Sequence, residues 1–337
     1  MHHHPLFCND VRGTGSMNKL GELTKRIGQL LLVLFLVTLF VAFLMSLLPA
    51  DTVDIMLPGQ PEEFKEIIRK ELGLDKGFFG YYFQWLGNFV RGDFGSFYFA
   101  GGSETVSSHL GNALPKSLLL MLYSQIVALA VSIPLGLSSA YRAGSKFDRT
   151  VSGTLFTFSS IPSFAIGLIL ALVVGVKLGW VEPLGYVPMS EDLVEHFKHM
   201  VLPVASLSFG LIAAYTRLLR SDVIATLKED YVTMAASKGL SDRRILWRHV
   251  FRPSSITLMT SAALNMGGLI GGAVVIENIF SIQGVGFEII YALGTRQYVA
   301  LQSLIALVAV GYVFFNVVVD IASGFIDPRT RERRGLR

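Results

Sequence analysis

The sequence predicts an all-α integral membrane protein with six transmembrane helices and both termini on the inner side. Three observations predict it. Apolar residues make up 52% of the 337 and charged residues only 16%, where a soluble domain carries nearer a quarter charged. Long uncharged runs recur at the length that about 20 helical residues need to span a bilayer. The basic residues divide unequally between the segments joining those runs.

Residues 1–26 form an inner N-terminal segment without apolar periodicity. His2, His3 and His4 stand adjacent at a terminus, a weak metal-binding arrangement. Met17 is a candidate start. Cys8 is the single cysteine, which excludes an intrachain disulfide framework or a cysteine metal cluster. Residues 27–48 are the first span. Ile27 to Leu48 holds no charge, and Lys25 and Arg26 precede it. A cleaved leader would have a shorter apolar run and a small-residue cleavage site.

Residues 49–116 are a polar external segment. In it, Pro61 to Leu72 places Phe64, Ile67, Ile68 and Leu72 on one face of an amphipathic helix. Phe78 to Phe99 is rich in Phe, Tyr and Trp, which favour the membrane interface, so this part is expected over the outer mouth of the bundle.

Residues 117–325 are the core. Ser117–Tyr141, Thr150–Val176, Pro253–Ile276 and Gln297–Val319 are free of charge. Met200–Thr216 is shorter, and its helix is expected to continue past Arg217. Pro134, Pro162 and Pro203 fall in or near these runs, where membrane helices tolerate kinks. Residues 326–337 are an inner tail.

With the N-terminus inside, inner segments hold 20 of the 29 lysines and arginines and 10 of the 25 acids. The positive-inside rule favours this orientation. It places residues 217–252 in the cytoplasm.

No Gly-x-x-x-x-Gly-Lys-Ser/Thr phosphate loop occurs in the chain, so any ATP energy has to come from a partner. No His-Glu-x-x-His or Gly-x-Ser-x-Gly motif occurs either. No cofactor is expected in this chain, and no enzymatic activity. Ser152, Ser159 and Ser160 suit helix packing better than catalysis. The six runs contain no charged residue, which counts against a proton- or sodium-driven transporter. Glu277 and Asp320 read as anchored helix ends. The close pairs Gly267-Gly268 and Gly271-Gly272 serve either intrachain packing or a subunit contact, and the sequence leaves both open.

The 217–252 loop has a grammar of its own. Val223, Ile224, Leu227, Tyr231, Met234 and Ala235 recur at helical spacing. Gly239 ends that helix in the left-handed conformation, and the Ser241 hydroxyl is placed to cap the next. In the second helix Arg244, Arg248 and Arg252 stand one turn apart, with Ile245, Leu246, Val250 and Phe251 on an apolar side and Trp247 flanking it. Pro253 is expected to begin the following helix. The simpler alternative is a solvated loop held near lipid headgroups by its arginines.

Tyr231-Val232, Ala235, Lys238-Gly239-Leu240-Ser241, Arg248-His249 and Arg252 resemble the cytoplasmic loop of ABC-importer permeases, in particular the dipeptide/oligopeptide/nickel permease family. That loop's consensus begins Glu-Ala-Ala, and here Thr233, Met234 and Ala235 take those places. Leu72 to Asp75, Gln84 to Leu86, Gly92 to Gly95, Glu277 to Phe280, Gly284 to Gly286 and Asp327-Pro328-Arg329 are similar to the same family, in order, over about Lys19 to Arg331. Where the family has a proline before the first of its two external glycines, this chain has Gln283.

The resemblance implies a type I importer permease bundle in a bacterial or archaeal inner membrane. It implies a second homologous permease, two cytoplasmic ATPase subunits that bind ATP and magnesium, and an external substrate-binding protein. No nucleic acid is involved. It also implies that Tyr231, Ala235, Ala236, Lys238, Gly239, Leu240, Ser241, Arg243, Arg244, Ile245, Leu246, Trp247, Arg248 and His249 couple the permease to the ATPase. Among these, apolar Ile245, Leu246 and Trp247 are expected to dominate docking, since exposed ion pairs contribute little. A stand-alone secondary transporter or channel is the alternative, and an intramembrane enzyme a third. The substrate is not legible beyond peptides or similar small solutes.

Overall fold

The computed structural model describes residues 15–47, 52–99 and 102–326. His2 to His4, Cys8 and the Asp327-Pro328-Arg329 ending lie outside them. The chain forms two compact units, residues 1–49 and 50–337. The first is the helix α1 (Gly15–Ser46), with Leu31–Ser46 as its apolar stretch.

The second unit opens with short helices. α2 (Thr52–Met56) and α3 (Glu62–Glu71) form a small apolar core of Val53, Met56, Leu57 and Ile68, joined by Leu72. The expected face of α3 is only half right. Ile68 and Leu72 pack inward, but Phe64 and Ile67 are exposed and Lys65 is buried instead. Lys65 turns inward because Asp54 of α2 waits there, with Nζ 2.8 Å from the carboxylate. α4 (Gly77–Val90) follows. A hairpin of β1 (Ser96–Phe99) and β2 (Gly102–Thr105) then departs from the all-helical expectation. Its β1 is aromatic, alternates with the pleat, and buries Phe97.

α5 (Val106–Tyr141) starts eleven residues before the expected span, capped where Thr105 Oγ1 accepts from Ser108 N–H at 3.3 Å. It packs along α8 (Leu193–Thr226), the run that looked too short. Asp192 caps α8, accepting from the N–H groups of Glu195 and Val194, and these bonds hold its carboxyl below the usual range. Small residues let α5 and α8 approach closely. Gly136 faces Leu219, and Ser208 Oγ donates across to Ser124 O at 3.1 Å.

The expected span over 150–176 is bent far more sharply than a tolerated proline kink. It is broken into α6 (Lys146–Ser159) and α7 (Ser163–Leu170, continued by a π turn, Ala171–Lys177), with a 95° bend between them. Pro162 causes the break. It disfavours helix at Ile161 and cannot donate a helical bond itself. Ser159 and Ser160 at the bend bond back to Phe156 O within α6.

α9 (Asp230–Ser237) and α10 (Asp242–Arg244) lead into α11 (Phe251–Ile279), and then come α12 (Val285–Gly294) and α13 (Tyr298–Ile326). Among the described residues four helices are long and apolar enough to cross a membrane, or five with the bent pair.

Candidate functional site

The inner segment between α8 and α11 departs from the single-helix expectation at its start. α8 closes at Thr226 with Leu227 as its cap, and a turn through Lys228 and Glu229 precedes α9. That turn rotates the second helix. Val232 and Ala235 therefore face the core, while Tyr231 and Met234, expected on the apolar face, are exposed.

Gly239 behaves as expected, with φ at +76°. Its N–H donates to Ala236 O at 3.0 Å, and Leu240 N–H reaches back to Ala235 O at 3.4 Å. This pair of bonds is a Schellman closure, which uses a left-handed residue to satisfy the last helical carbonyls. Leu240 then packs with Ala235 against the core.

Ser241 occupies the N-cap position of α10, but its hydroxyl makes no capping bond. Its carbonyl accepts instead from the N–H groups of Arg244 and Ile245. The side-chain contact at this start belongs to Asp242, whose carboxylate accepts from Tyr141 Oη at the C-terminal end of α5.

Pro253 does not begin a new helix. Helix runs unbroken from Asp242 to Ile279, through a π turn at Ile245–Val250. Pro253 has no N–H to give His249 O, the carbonyl one turn before it. Tyr231 Oη reaches that carbonyl instead, at 3.5 Å. The helix continues past the proline through this wide turn.

The structure divides the predicted site residues sharply. Tyr231, Ala236, Lys238, Gly239, Ser241, Arg243, Arg244, Trp247 and Arg248 are exposed. Leu240, Leu246 and His249 are half-buried, and Ala235 and Ile245 are buried. Ile245 belongs to the core and Leu246 packs against it. Of the three apolar residues expected to dominate docking, Ile245 is thus turned into the chain's own core and Leu246 is partly covered. Trp247 alone stands out, 49% exposed, edge-on to Phe251 at 5.4 Å. It lines an open hollow with Ser241, Arg243 and Arg244.

Two polar clusters escaped the sequence reading. Near the start of α6, Arg220 of α8 grips Asp148 through Nε (2.6 Å) and Nη2 (2.8 Å). Gly144 N–H donates to the same carboxylate, and Ser145 Oγ accepts from Asp148 N–H. Ser145-x-x-Asp148 is a capping-box spacing, so part of this cluster was legible.

At the C-terminal end of α11, Glu277 is fully buried rather than anchored at the interface. It accepts from Ser117 Oγ (2.6 Å), Gly286 N–H (2.8 Å) and Phe287 N–H (3.2 Å). The last two are free donors of the first turn of α12. Ser117 Oγ accepts in turn from Val285 N–H at 2.8 Å. A side chain at Gly284 would strike the Glu277 carboxylate, and one at Gly286 the backbone of Val274. The two glycines are therefore required by this carboxylate and by α11. The turn forms with Gln283 exposed in the place of a proline.

The glycine pairs of α11 also separate. Gly267 faces Tyr312 of α13, at about the distance where a methyl group would collide. Gly268 and Gly271 have open space beside them.

Residues 132–332 match the family model described as binding-protein-dependent transport system inner membrane component. The oligopeptide transport system permease protein AppB of Bacillus subtilis is 34% identical, covering 87% of this chain and 93% of that protein. The di/tripeptide transport system permease protein DppB of Pseudomonas aeruginosa is 32% identical, over 94% of this chain and all of that one. Among solved structures, an inward-facing MetNI methionine ABC transporter chain aligns with a TM-score of 0.54 at 16% identity. It covers 65% of this chain and 96% of that one, and it bears on the fold alone. The chain is multi-pass, and it belongs to the family of binding-protein-dependent transport system inner membrane components, among its peptide permeases.

Proposed function

We propose that this chain is one transmembrane half of an ATP-driven importer for peptides or similar small solutes. It would work with a second homologous permease, two cytoplasmic ATPase subunits and an external binding protein, in a bacterial or archaeal inner membrane. The chain crosses the membrane six times with both ends inside. Residues 1–26 and 326–337 are its inner ends, 27–48 the first span, 49–116 the outer segment and 117–325 the core. ATP and magnesium bind the partners, and this chain holds no cofactor.

The exposed inner segment carries this reading. Ser241 to Arg248 presents Arg243, Arg244, Trp247 and Arg248 outward from a helix that runs without interruption into α11. A pull on that end is transmitted along one rigid rod into the bundle. Gly239 sets the angle at which α9 meets it. Ala235, Ala236 and Leu240 hold the corner, Tyr231 and His249 splint the π turn, and Lys238 and Ser241 border the contact. Closure of the ATPase pair would then tilt the bundle from inward- to outward-facing.

Purification of the chain from its native membrane in mild detergent tests this. Co-purifying ATPase chains and a second permease are the expected result. A chain that emerges alone and moves solute without ATP would return the stand-alone transporter reading.

A further inference from the structure

α4 has two unlike faces. Its 14 residues, Gly77 to Val90, contain no charge. Tyr81, Tyr82 and Trp85 are buried. Phe79, Phe83 and Val90 are largely exposed, and with half-buried Leu86 they form a stripe at steps of four, three and four residues. A helix that is apolar on the side away from its own protein needs something else to cover it.

The anchoring of α4 indicates what that is. Tyr81 Oη donates to Gln302 Oε1 at 2.7 Å, and Trp85 Nε1 donates to Ser303 Oγ at 2.9 Å. A four-residue step on α4 thus meets a one-residue step on α13. Four residues rise about 6 Å and one residue about 1.5 Å, so α4 runs across α13 rather than along it. The anchor lies little more than one turn from Tyr298, where α13 begins. Below it, Val310 and Phe314 stand seven and eleven residues from Ser303, on the same helical face. Both are exposed and apolar. The bare stripe of α4 therefore continues the bare stripe of α13. Lys76 and Arg91 flank α4 and are exposed.

We infer that α4 is an interfacial helix, lying crosswise in the outer leaflet with Phe79, Phe83 and Val90 among the acyl chains and Lys76 and Arg91 at the headgroups. The partner is the lipid surface, since amphipathic helices of this kind bury their apolar side by about 5–10 Å. This rests on α13 crossing the membrane.

The assembled transporter, carrying Cys8→Ser and one new cysteine labelled with bimane, tests it in vesicles of phosphatidylcholine and phosphatidylglycerol with bromine on the acyl chains. Phe83→Cys is the probe, and Val90→Cys the second should the first fail to assemble. Phe40→Cys in α1 and Val310→Cys in α13 are the lipid references, and Lys70→Cys in α3 the aqueous one. The expected result is bromolipid quenching at the probe at least about half that at Phe40, with little quenching by iodide. Strong iodide quenching at the probe, as at Lys70, would place the stripe in water. Protection from both quenchers would mean a protein covers it, the paired permease or the binding protein. Either result overturns the inference while leaving the spans intact. If neither lipid reference is quenched, the spanning reading fails and the inference with it.

Discussion

The two ends of α11 are built on opposite plans. At its C-terminal end a buried carboxylate, Glu277, binds three donors and clamps the first turn of α12. At its N-terminal end the helix is entered through a π turn from a segment that exposes Arg243, Arg244, Trp247 and Arg248. The C-terminal end spends its polar groups inside the molecule, and the N-terminal end leaves its arginines and Trp247 outside. The difference separates an end whose groups are used within the chain from one whose groups are available to a partner. Glu277 spends three of its roughly four acceptor sites on groups of its own chain, and two of those three are the first-turn donors of α12. The Trp247 hollow has capacity and no internal use.

Substitutions should sharpen this contrast. Glu277→Ala strands Ser117 and the two backbone donors in a buried site. Each unsatisfied donor costs about 1–3 kcal/mol, so the largest loss of thermal stability in detergent is expected here. Glu277→Gln keeps one acceptor and should lose less. Equal stability of Glu277→Ala and the parent protein would refute the clamp.

Asp148→Ala comes next. Breaking a buried ion pair costs about 3–5 kcal/mol, but the Arg220 side chain is 30% exposed and can turn to water. About 2 kcal/mol is therefore the expected loss. Double substitution with Arg220→Ala should cost little more than the single change, which a double-mutant cycle reads directly.

Gly239→Val forces a β-branched residue to positive φ, at about 1–2 kcal/mol. The cost should fall on the corner and not on the bundle. ATPase stimulation should drop while the melting of the spans hardly moves. Trp247→Ala should change stability by less than about 0.5 kcal/mol and still weaken ATPase association. Ile245→Ala should do the reverse. If Trp247→Ala left association unchanged, the exposed hollow would not be the contact.

The smallest effect is electrostatic. The Lys65 ammonium beside Asp54 holds its carboxyl below the usual range. A lowered folded-state value means the tie between α2 and α3 is present above the ordinary carboxylate range and is lost only as pH falls through the lowered value. Cysteine accessibility at Val53 should therefore stay constant from neutral to mildly acid pH and rise only in stronger acid. A rise already at mildly acid pH would contradict this.

Gly239 was legible because only a glycine readily takes that conformation, and the conformation is local. The start of α10 was legible for the same reason. The function of Ser241 was not, because Asp242 found a partner 101 residues away in Tyr141. Pro253 misled for a related reason. Proline forbids one hydrogen bond, but whether a helix stops there depends on what else serves the abandoned carbonyl.

By itself the sequence determined the membrane class, the ordering of apolar runs, and a basic segment between two of them with its glycine corner. These follow from solvent preference and backbone sterics, which act residue by residue. Only the tertiary structure decided that the third run bends by 95°, that Glu277 is buried and that Ile245 faces inward while Trp247 faces out. Burial is a property of what arrives on the other side. α12 had to fold back on α11 before a carboxylate at a helix end could become a cap.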